Sequence, residues 1–225
     1  PSMIHQIQNI WEQTEIYQPG TKRHDIKQEI RAEFGGNLNS HDLAKNCPIT
    51  SSGTAKQYFN DWQQLGKFCK EELGIKKAIN ISGENVKAFL QSKIQENVGK
   101  STFKQIASGI EKFAVAIEKY SDKFGLVNHC SDWHKNIDEA RSDAKQKLSQ
   151  ELTTRAYSNP GAVIAELSPI SQVIAKIQLE TGCRISEVTS RLKVENIHYD
   201  SITVHGKGGF IRTVSVNPNL AAELK

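Results

Sequence analysis

The sequence predicts a mainly α-helical fold with a small β-hairpin near its end. Over most of the 225 residues, apolar side chains recur at the spacing of one helix face. Between residues 201 and 216 the pattern changes, and apolar residues alternate on either side of a glycine-rich turn. Hydrophobic residues make up 37% of the chain, which is enough for buried cores. The length suits two small domains better than one large one.

Two segments are predicted to lie outside these domains. Residues 1–46 hold two helical apolar patterns separated by Pro19-Gly20, and we expect them to form an N-terminal helical arm. Residues 129–160 are polar and are predicted to be a linker, although their charged stretch 138–150 favours a helix. Neither segment indicates a function.

Residues 47–128 are predicted to form a compact helical domain. Each of its three expected helices begins after a serine that can cap it, namely Ser51, Ser82 and Ser101. Their polar faces carry many lysines, among them Lys56, Lys67, Lys100 and Lys104. Such lysines are usually only solvated, so they indicate a nucleic-acid interface only if they cluster on one face.

The last region, residues 161–225, combines helices with the predicted hairpin. Gly182 ends one apolar helical pattern and Arg184 begins another. Two short alternating runs then flank Gly206-Lys207-Gly208-Gly209, which is typical of strands joined by a turn. We therefore expect Lys207 at the tip of a hairpin.

Composition excludes several classes of protein. The four cysteines are scattered and never form C-x-x-C, which argues against a disulfide framework and a zinc ribbon. No apolar run approaches the roughly 18 residues of a membrane span, and the first residues lack the features of a signal peptide. We expect a soluble, cytoplasmic protein without a metal or cofactor. The net charge of +4 is a weak sign of an acidic partner.

Arg184, Glu187 and Lys207 are the candidates for chemistry. Arg184 and Glu187 are three residues apart at a predicted helix start, so the carboxylate can orient a guanidinium that binds two phosphate oxygens. Lys207, between glycines, could protonate a leaving oxygen. Each feature taken alone also fits a plain surface: an i,i+3 ion pair is common on helices, and a turn lysine is often solvated.

Two segments resemble motifs of one enzyme family. Residues 181–188, Thr-Gly-Cys-Arg-Ile-Ser-Glu-Val, are similar to the T-G-x-R-x-S-E-[LV] box of tyrosine recombinases, which include the phage integrases. Gly206-Lys207-Gly208, followed by Arg212 and Val214, is similar to that family's G-K-G-x-K-x-R-x-V segment. The resemblance implies a helical SAM-like core-binding domain over 47–128. It also implies the first part of a mixed α/β catalytic domain over 161–225.

The resemblance also implies roles for individual residues. Arg184 would bind the scissile phosphate, Glu187 would support it, and Lys207 would assist the leaving 5′ hydroxyl. The partner would be double-stranded DNA, cleaved and rejoined through a 3′-phosphotyrosyl bond by a homotetramer on paired sites. Neither a metal nor a cofactor would be needed. The residues expected to contact DNA are Lys56, Lys67, Lys100, Lys104 and Arg212.

The chain departs from the family pattern after Lys207. All five tyrosines precede Lys207, whereas the family's nucleophile follows it, and no H-x-x-R box comes after this lysine. We therefore expect a DNA-binding fragment of a recombinase that lacks the nucleophile and is inactive alone. A non-catalytic DNA-binding regulator or excision factor built on the same domains is the alternative. A helical protein–protein module with no DNA role also remains open.

Overall fold

The computed structural model describes residues 1–36, 38–148, 157–206 and 209–224. The chain is mainly helical with one small antiparallel two-stranded sheet, as predicted. It divides into two compact units, Pro1–Leu152 and Thr153–Lys225. Among the described residues, no helix is both long enough and apolar enough to cross a membrane.

The first unit is built from helices, with a short 3-10 turn at Ala78–Asn80. Its helices are α1 (Met3–Gln13), α2 (Arg23–Glu33), α3 (Ser40–Asn46), α4 (Ser52–Glu71), α5 (Gly83–Gln95), α6 (Lys100–Phe124) and α7 (Trp133–Lys147). The side chains of Ser51 and Ser82 cap α4 and α5 as the sequence predicts. The helix predicted to begin after Ser101 is α6. It begins at Lys100, one residue before Ser101, and its N-cap is Gly99.

The centre of this unit is the contact between α4 and α6. Trp62 is fully buried, stacks on Phe113 with ring centroids 4.5 Å apart, and donates its indole N–H to the Gly109 carbonyl at 2.8 Å. A buried tryptophan needs such a partner because an unpaired N–H in an apolar core costs free energy. This contact fixes α6, which also packs on α7 through an edge-on contact between Phe113 and Trp133, with ring centroids 5.9 Å apart.

The segments predicted as an arm and a linker both contribute to this core. Helix α1 packs on α4 through Met3, Ile7 and Ile10, which are buried. Gly66 allows the approach, because a Cβ there would lie 2.9 Å from Met3 Cγ. The observed unit therefore includes residues 1–46, which were predicted to form a separate arm with a boundary at residue 46.

Helix α7 likewise lies within the predicted linker 129–160, but it packs along α5 and α6. Its apolar stripe of Trp133, Ile137, Ala140 and Ala144 is buried. Trp133 donates its indole N–H to the Ile81 carbonyl at 3.0 Å. These four apolar positions are fewer than an amphipathic helix of 15 residues usually carries, so the stripe is hard to recognise among the charged residues.

Among its described residues, the second unit holds four α-helices, a short 3-10 turn at Val194–Asn196 and the hairpin. The helices are α8 (Pro160–Ala165), α9 (Pro169–Thr181), α10 (Ile185–Thr189) and α11 (Pro218–Glu223), and the strands are β1 (Ser201–His205) and β2 (Ile211–Ser215). The strands pair with Ile202 opposite Val214 and Val204 opposite Arg212. One face of the sheet packs on α9, α10 and α11 in a second small core.

Candidate functional site

The candidate site of the second unit is organised around Glu187. Gly182 ends α9 in the left-handed conformation, with φ +66°, and Arg184 adopts an extended backbone, so α10 starts directly after Arg184. Glu187 in the first turn of α10 reaches back, and its Oε2 accepts the Arg184 backbone N–H at 2.9 Å. Its side chain is only 1% exposed. A buried carboxylate of this kind requires cationic partners.

Two arginines supply those partners from different elements. Arg184 Nη1 lies 3.0 Å from Glu187 Oε1, and Arg212 Nη2 lies 2.9 Å from Glu187 Oε2. Arg212 reaches the carboxylate because alternate residues of β2 share one face, and the face of Arg212 also carries the core residue Val214. The hydrogen bond from Arg212, followed by that from the Arg184 backbone, lowers the pKa of Glu187 to about 2. Glu187 is therefore ionised throughout the physiological range.

The two arginines differ in what they can still bind. The Arg212 side chain is 26% exposed, and it also contacts Cys183 Sγ at 3.7 Å. The Arg184 side chain is 68% exposed, and among the described residues it pairs only with Glu187. Arg184 thus presents free guanidinium donors while its orientation is fixed by a buried carboxylate. Such a planar fork suits a phosphate or carboxylate.

A third arginine fastens the hairpin beside this pair. Arg191, just after α10, donates Nη1 to the carbonyls of His205 at 3.3 Å and Gly206 at 2.5 Å. Gly206 N–H in turn donates to the Phe210 carbonyl at 2.6 Å, which closes the hairpin. A Cβ at Gly206 would lie 3.1 Å from that carbonyl and 3.4 Å from Glu187 Oε1, so the position favours glycine. The cluster holds three arginines to one glutamate.

The structure thus brings Arg184, Glu187 and Arg212 together. Arg212, predicted to contact DNA, faces the buried carboxylate, so its present contacts are those of a supporting residue. Lys207, predicted to lie at the hairpin tip, is outside the described residues. Arg191 was not among the predicted site residues. The available signal was the spacing of four residues between Glu187 and Arg191, although α10 ends at Thr189, before Arg191.

In the first unit, basic residues line a groove between α6 and α7. The groove has a volume of ≈ 530 Å³ and is lined by Lys100, Phe103, Lys104, Ser108, Arg141, Ala144 and Lys145. Arg141 is already paired with Glu111 by two hydrogen bonds of 2.7 and 2.8 Å. The uncompensated charge of the groove therefore comes from its lysines. Lys104 and Lys145 are exposed, and Lys100 Nζ reaches the Lys145 carbonyl at 3.4 Å.

The four lysines predicted to contact DNA thus fall into two groups. Lys100 and Lys104 lie together in the groove, one helical turn apart on α6. Lys56 and Lys67 are exposed on α4 and do not line the groove, and Lys67 lies 3.9 Å from Glu71. Sequence reasoning missed Lys145, which belongs to the stretch interpreted as a linker. The spacing of four residues between Arg141 and Lys145 was the available signal.

A second cluster of titratable groups lies nearby. Glu111, His134 and Asp138 could each offer one ligand atom to a metal. The Glu111 carboxylate already accepts both hydrogen bonds from Arg141, so a cation occupies its favourable positions. We therefore assign no metal to this cluster.

Lys112 is a buried cation that sequence reasoning also missed. Its ammonium donates to the carbonyls of Cys47 at 2.7 Å and Lys45 at 3.0 Å, at the end of α3. Burial lowers its pKa to about 8. These contacts fix the chain that follows α3 against α6, which is a structural role.

Comparison with known proteins gives no match for this chain, either among family models or among curated protein sequences.

Proposed function

We propose that the chain takes part in site-specific DNA recombination or integration of the tyrosine-recombinase type, as the part that binds DNA and holds a phosphate. The observation that carries this proposal is the buried Glu187 that holds the exposed Arg184 in place. It gives a physical role to each charged residue of the T-G-x-R-x-S-E segment. A surface i,i+3 ion pair would not need a buried carboxylate or a second arginine.

In this proposal Arg184 binds two non-bridging oxygens of the scissile phosphodiester. Negative charge grows on these oxygens when a nucleophile attacks phosphorus, and a preoriented guanidinium stabilises that charge without reorganising. Glu187 and Arg212 keep Arg184 in place, while Arg191 binds the hairpin where β1 ends and the turn begins. Lys207 would reach the leaving 5′ oxygen and donate a proton to it.

The groove between α6 and α7 supports a separate contact with duplex DNA. Its three lysines can each neutralise a backbone phosphate, which releases counterions and makes binding depend steeply on salt. Such contacts position a protein on DNA without reading sequence. Double-stranded DNA is therefore the proposed partner, with four copies acting on paired sites during recombination.

No nucleophile is assigned within residues 1–225, because no tyrosine follows Lys207 in this sequence. The native reading frame after Lys225 separates the two forms of the proposal. An H-x-x-R box followed by a tyrosine favours a recombinase. A stop codon favours a DNA-binding regulator or excision factor on the same domains.

DNA binding is tested by fluorescence anisotropy with a labelled duplex over a range of potassium chloride concentrations. We expect log K to fall linearly with log salt, and Lys104→Ala to reduce the slope by about 0.9. Lys145→Ala should do the same. The matched control is Lys76→Ala, because Lys76 is exposed in the same unit and lies outside the groove.

The outcome of this experiment is decisive for the groove. If the chain binds no duplex at low salt, the proposed function fails. If Lys76→Ala changes the slope as much as Lys104→Ala does, the chain binds DNA but the groove is not the interface.

A further inference from the structure

Phe210 is an exposed aromatic residue in the turn of the hairpin, directly before β2. Its side chain is 65% exposed, although its backbone carbonyl is held by Gly206 N–H. The next residue, Ile211, is also 57% exposed. Single exposed apolar residues are normal on a protein surface, and what distinguishes Phe210 is that its backbone contacts the turn glycine beside the arginine cluster.

Phe210 lies close to the arginine cluster in the chain. It directly precedes β2 and is two residues before Arg212. Gly206 connects the two features, because a Cβ placed there would contact both the Phe210 carbonyl and Arg212 Nη1, at 3.1 and 3.4 Å. The backbone of an exposed aromatic residue thus lies beside a group of guanidinium side chains with excess positive charge.

We infer that Phe210 stacks on an unpaired or extruded DNA base whose neighbouring phosphate is held by Arg184. The inference rests on the proposed DNA-binding function and adds a preference for locally unstacked DNA. A nucleotide carries a base with an apolar π-face and a phosphate on the same sugar, and this matches an exposed aromatic residue next to a cluster of guanidinium groups. A purely apolar partner would offer no anion to the adjacent arginines.

Stacking also explains why the ring is left in water. A phenylalanine that stacks on a base must be accessible in the free protein, and a fixed backbone reduces the ordering that binding requires. Two contacts fix the backbone here. Gly206 N–H donates to the Phe210 carbonyl, and Arg191 donates to the carbonyls of His205 and Gly206.

The test compares two labelled duplexes that differ only by one extrahelical adenine. Affinities of the chain for the bulged and the fully paired duplex are measured by anisotropy at one salt concentration. We expect tighter binding to the bulged duplex. Phe210→Ala should reduce that preference by roughly 5- to 100-fold and leave binding to the paired duplex nearly unchanged. Phe210→Trp should keep the preference.

Tyr199→Ala is the matched control, because Tyr199 is another exposed aromatic of the same unit, with 78% of its side chain accessible. Equal affinity of the wild-type chain for both duplexes would overturn the inference and leave the proposed DNA binding intact. A preference that survives Phe210→Ala, or that Tyr199→Ala removes equally, would also overturn it. Failure to bind either duplex would overturn both the inference and the proposed function.

Discussion

Replacing Asp61 by asparagine probes the contact between α4 and α6 that supports the basic groove. Asp61 is fully buried, and its carboxylate accepts hydrogen bonds from Gln57 at 3.2 Å and Gln105 at 2.6 Å. Burial nevertheless raises its pKa from 3.8 to about 6. Gln105 belongs to α6 and directly follows the groove residue Lys104.

The raised pKa of Asp61 gives both the sign and the size of its effect on the free energy of unfolding. Because the folded state holds the Asp61 proton more tightly than the unfolded chain does, this group stabilises folding as pH falls from above 6 to about 4. Above pH 6 the buried carboxylate is ionised and destabilises the fold. A shift of about two pKa units corresponds to ~3 kcal/mol. An asparagine has one acceptor oxygen where the carboxylate has two, so one glutamine amide has to turn, and we expect about 1–2 kcal/mol of the gain to remain.

Asp61→Asn keeps the shape and removes the charge. We expect the variant to be more stable than the wild type at pH 7.5 by about 1–2 kcal/mol, a shift of ~0.5–1 M in the urea midpoint. The difference should vanish near pH 4. Tryptophan fluorescence reports on this unit alone, because all three tryptophans lie within it: Trp11, Trp62 and Trp133.

The comparison between variant and wild type cancels the titration of every other group. If the two proteins keep the same stability difference from pH 4 to 7.5, the ionisation of Asp61 is not what destabilises the fold. A variant that is less stable at every pH would mean that the glutamines cannot turn their amides to bond the asparagine.

Three further substitutions test other contacts. Gly83→Ala should destabilise the first unit by about 1–3 kcal/mol in urea, because its Cβ would lie 2.7 Å from Asp132 Oδ1 at the start of α7. Glu187→Gln should speed amide exchange in α10 and the hairpin. In the wild type, the protection due to Glu187 is complete above about pH 4.5 and is lost as pH falls towards 2, whereas the variant should lack this dependence. Arg191→Gln should speed exchange of the Gly206 amide by about 10- to 100-fold, because it removes the charged donor to the carbonyls of His205 and Gly206.

Each of these substitutions has a comparison that can contradict it. Gly53→Ala is the control for Gly83→Ala, since a Cβ at Gly53 would meet only Ser51 Oγ at 3.8 Å, and it should be neutral or stabilising. Equal losses in both variants would refute the steric argument. Unchanged exchange in Glu187→Gln or Arg191→Gln would show that these side chains do not hold the hairpin.

The helical fold and the hairpin were predictable because periodicity and glycine positions are local signals. The capping serines at Ser51 and Ser82 and the helix end at Gly182 were found for the same reason. The role of α7 was not predictable in this way. Its charged composition suggested a linker, and only packing against α5 shows that Trp133 and Ile137 form a buried stripe.

The candidate site was partly predictable. The spacing of Arg184 and Glu187 indicated their contact, but the burial of Glu187 depends on Arg212, which is 25 residues away along the chain. Strand alternation alone could have assigned Arg212 to the core-facing side of β2, because it shares that side with Val214. Lys145 could not be grouped with Lys100 until two helices were placed side by side.

The two carboxylate oxygens of Glu187 accept hydrogen bonds from different sets of donors. Oε2 accepts from Arg212 Nη2 and from the Arg184 backbone, whereas Oε1 accepts from the exposed side chain of Arg184 and, at 3.5 Å, from Arg212 Nη1. If an incoming anion draws Arg184 Nη1 away from Oε1, Oε1 keeps the bond from Arg212 and Oε2 keeps both of its donors. Binding of an anion at Arg184 therefore does not require the buried pair that shapes the site to break.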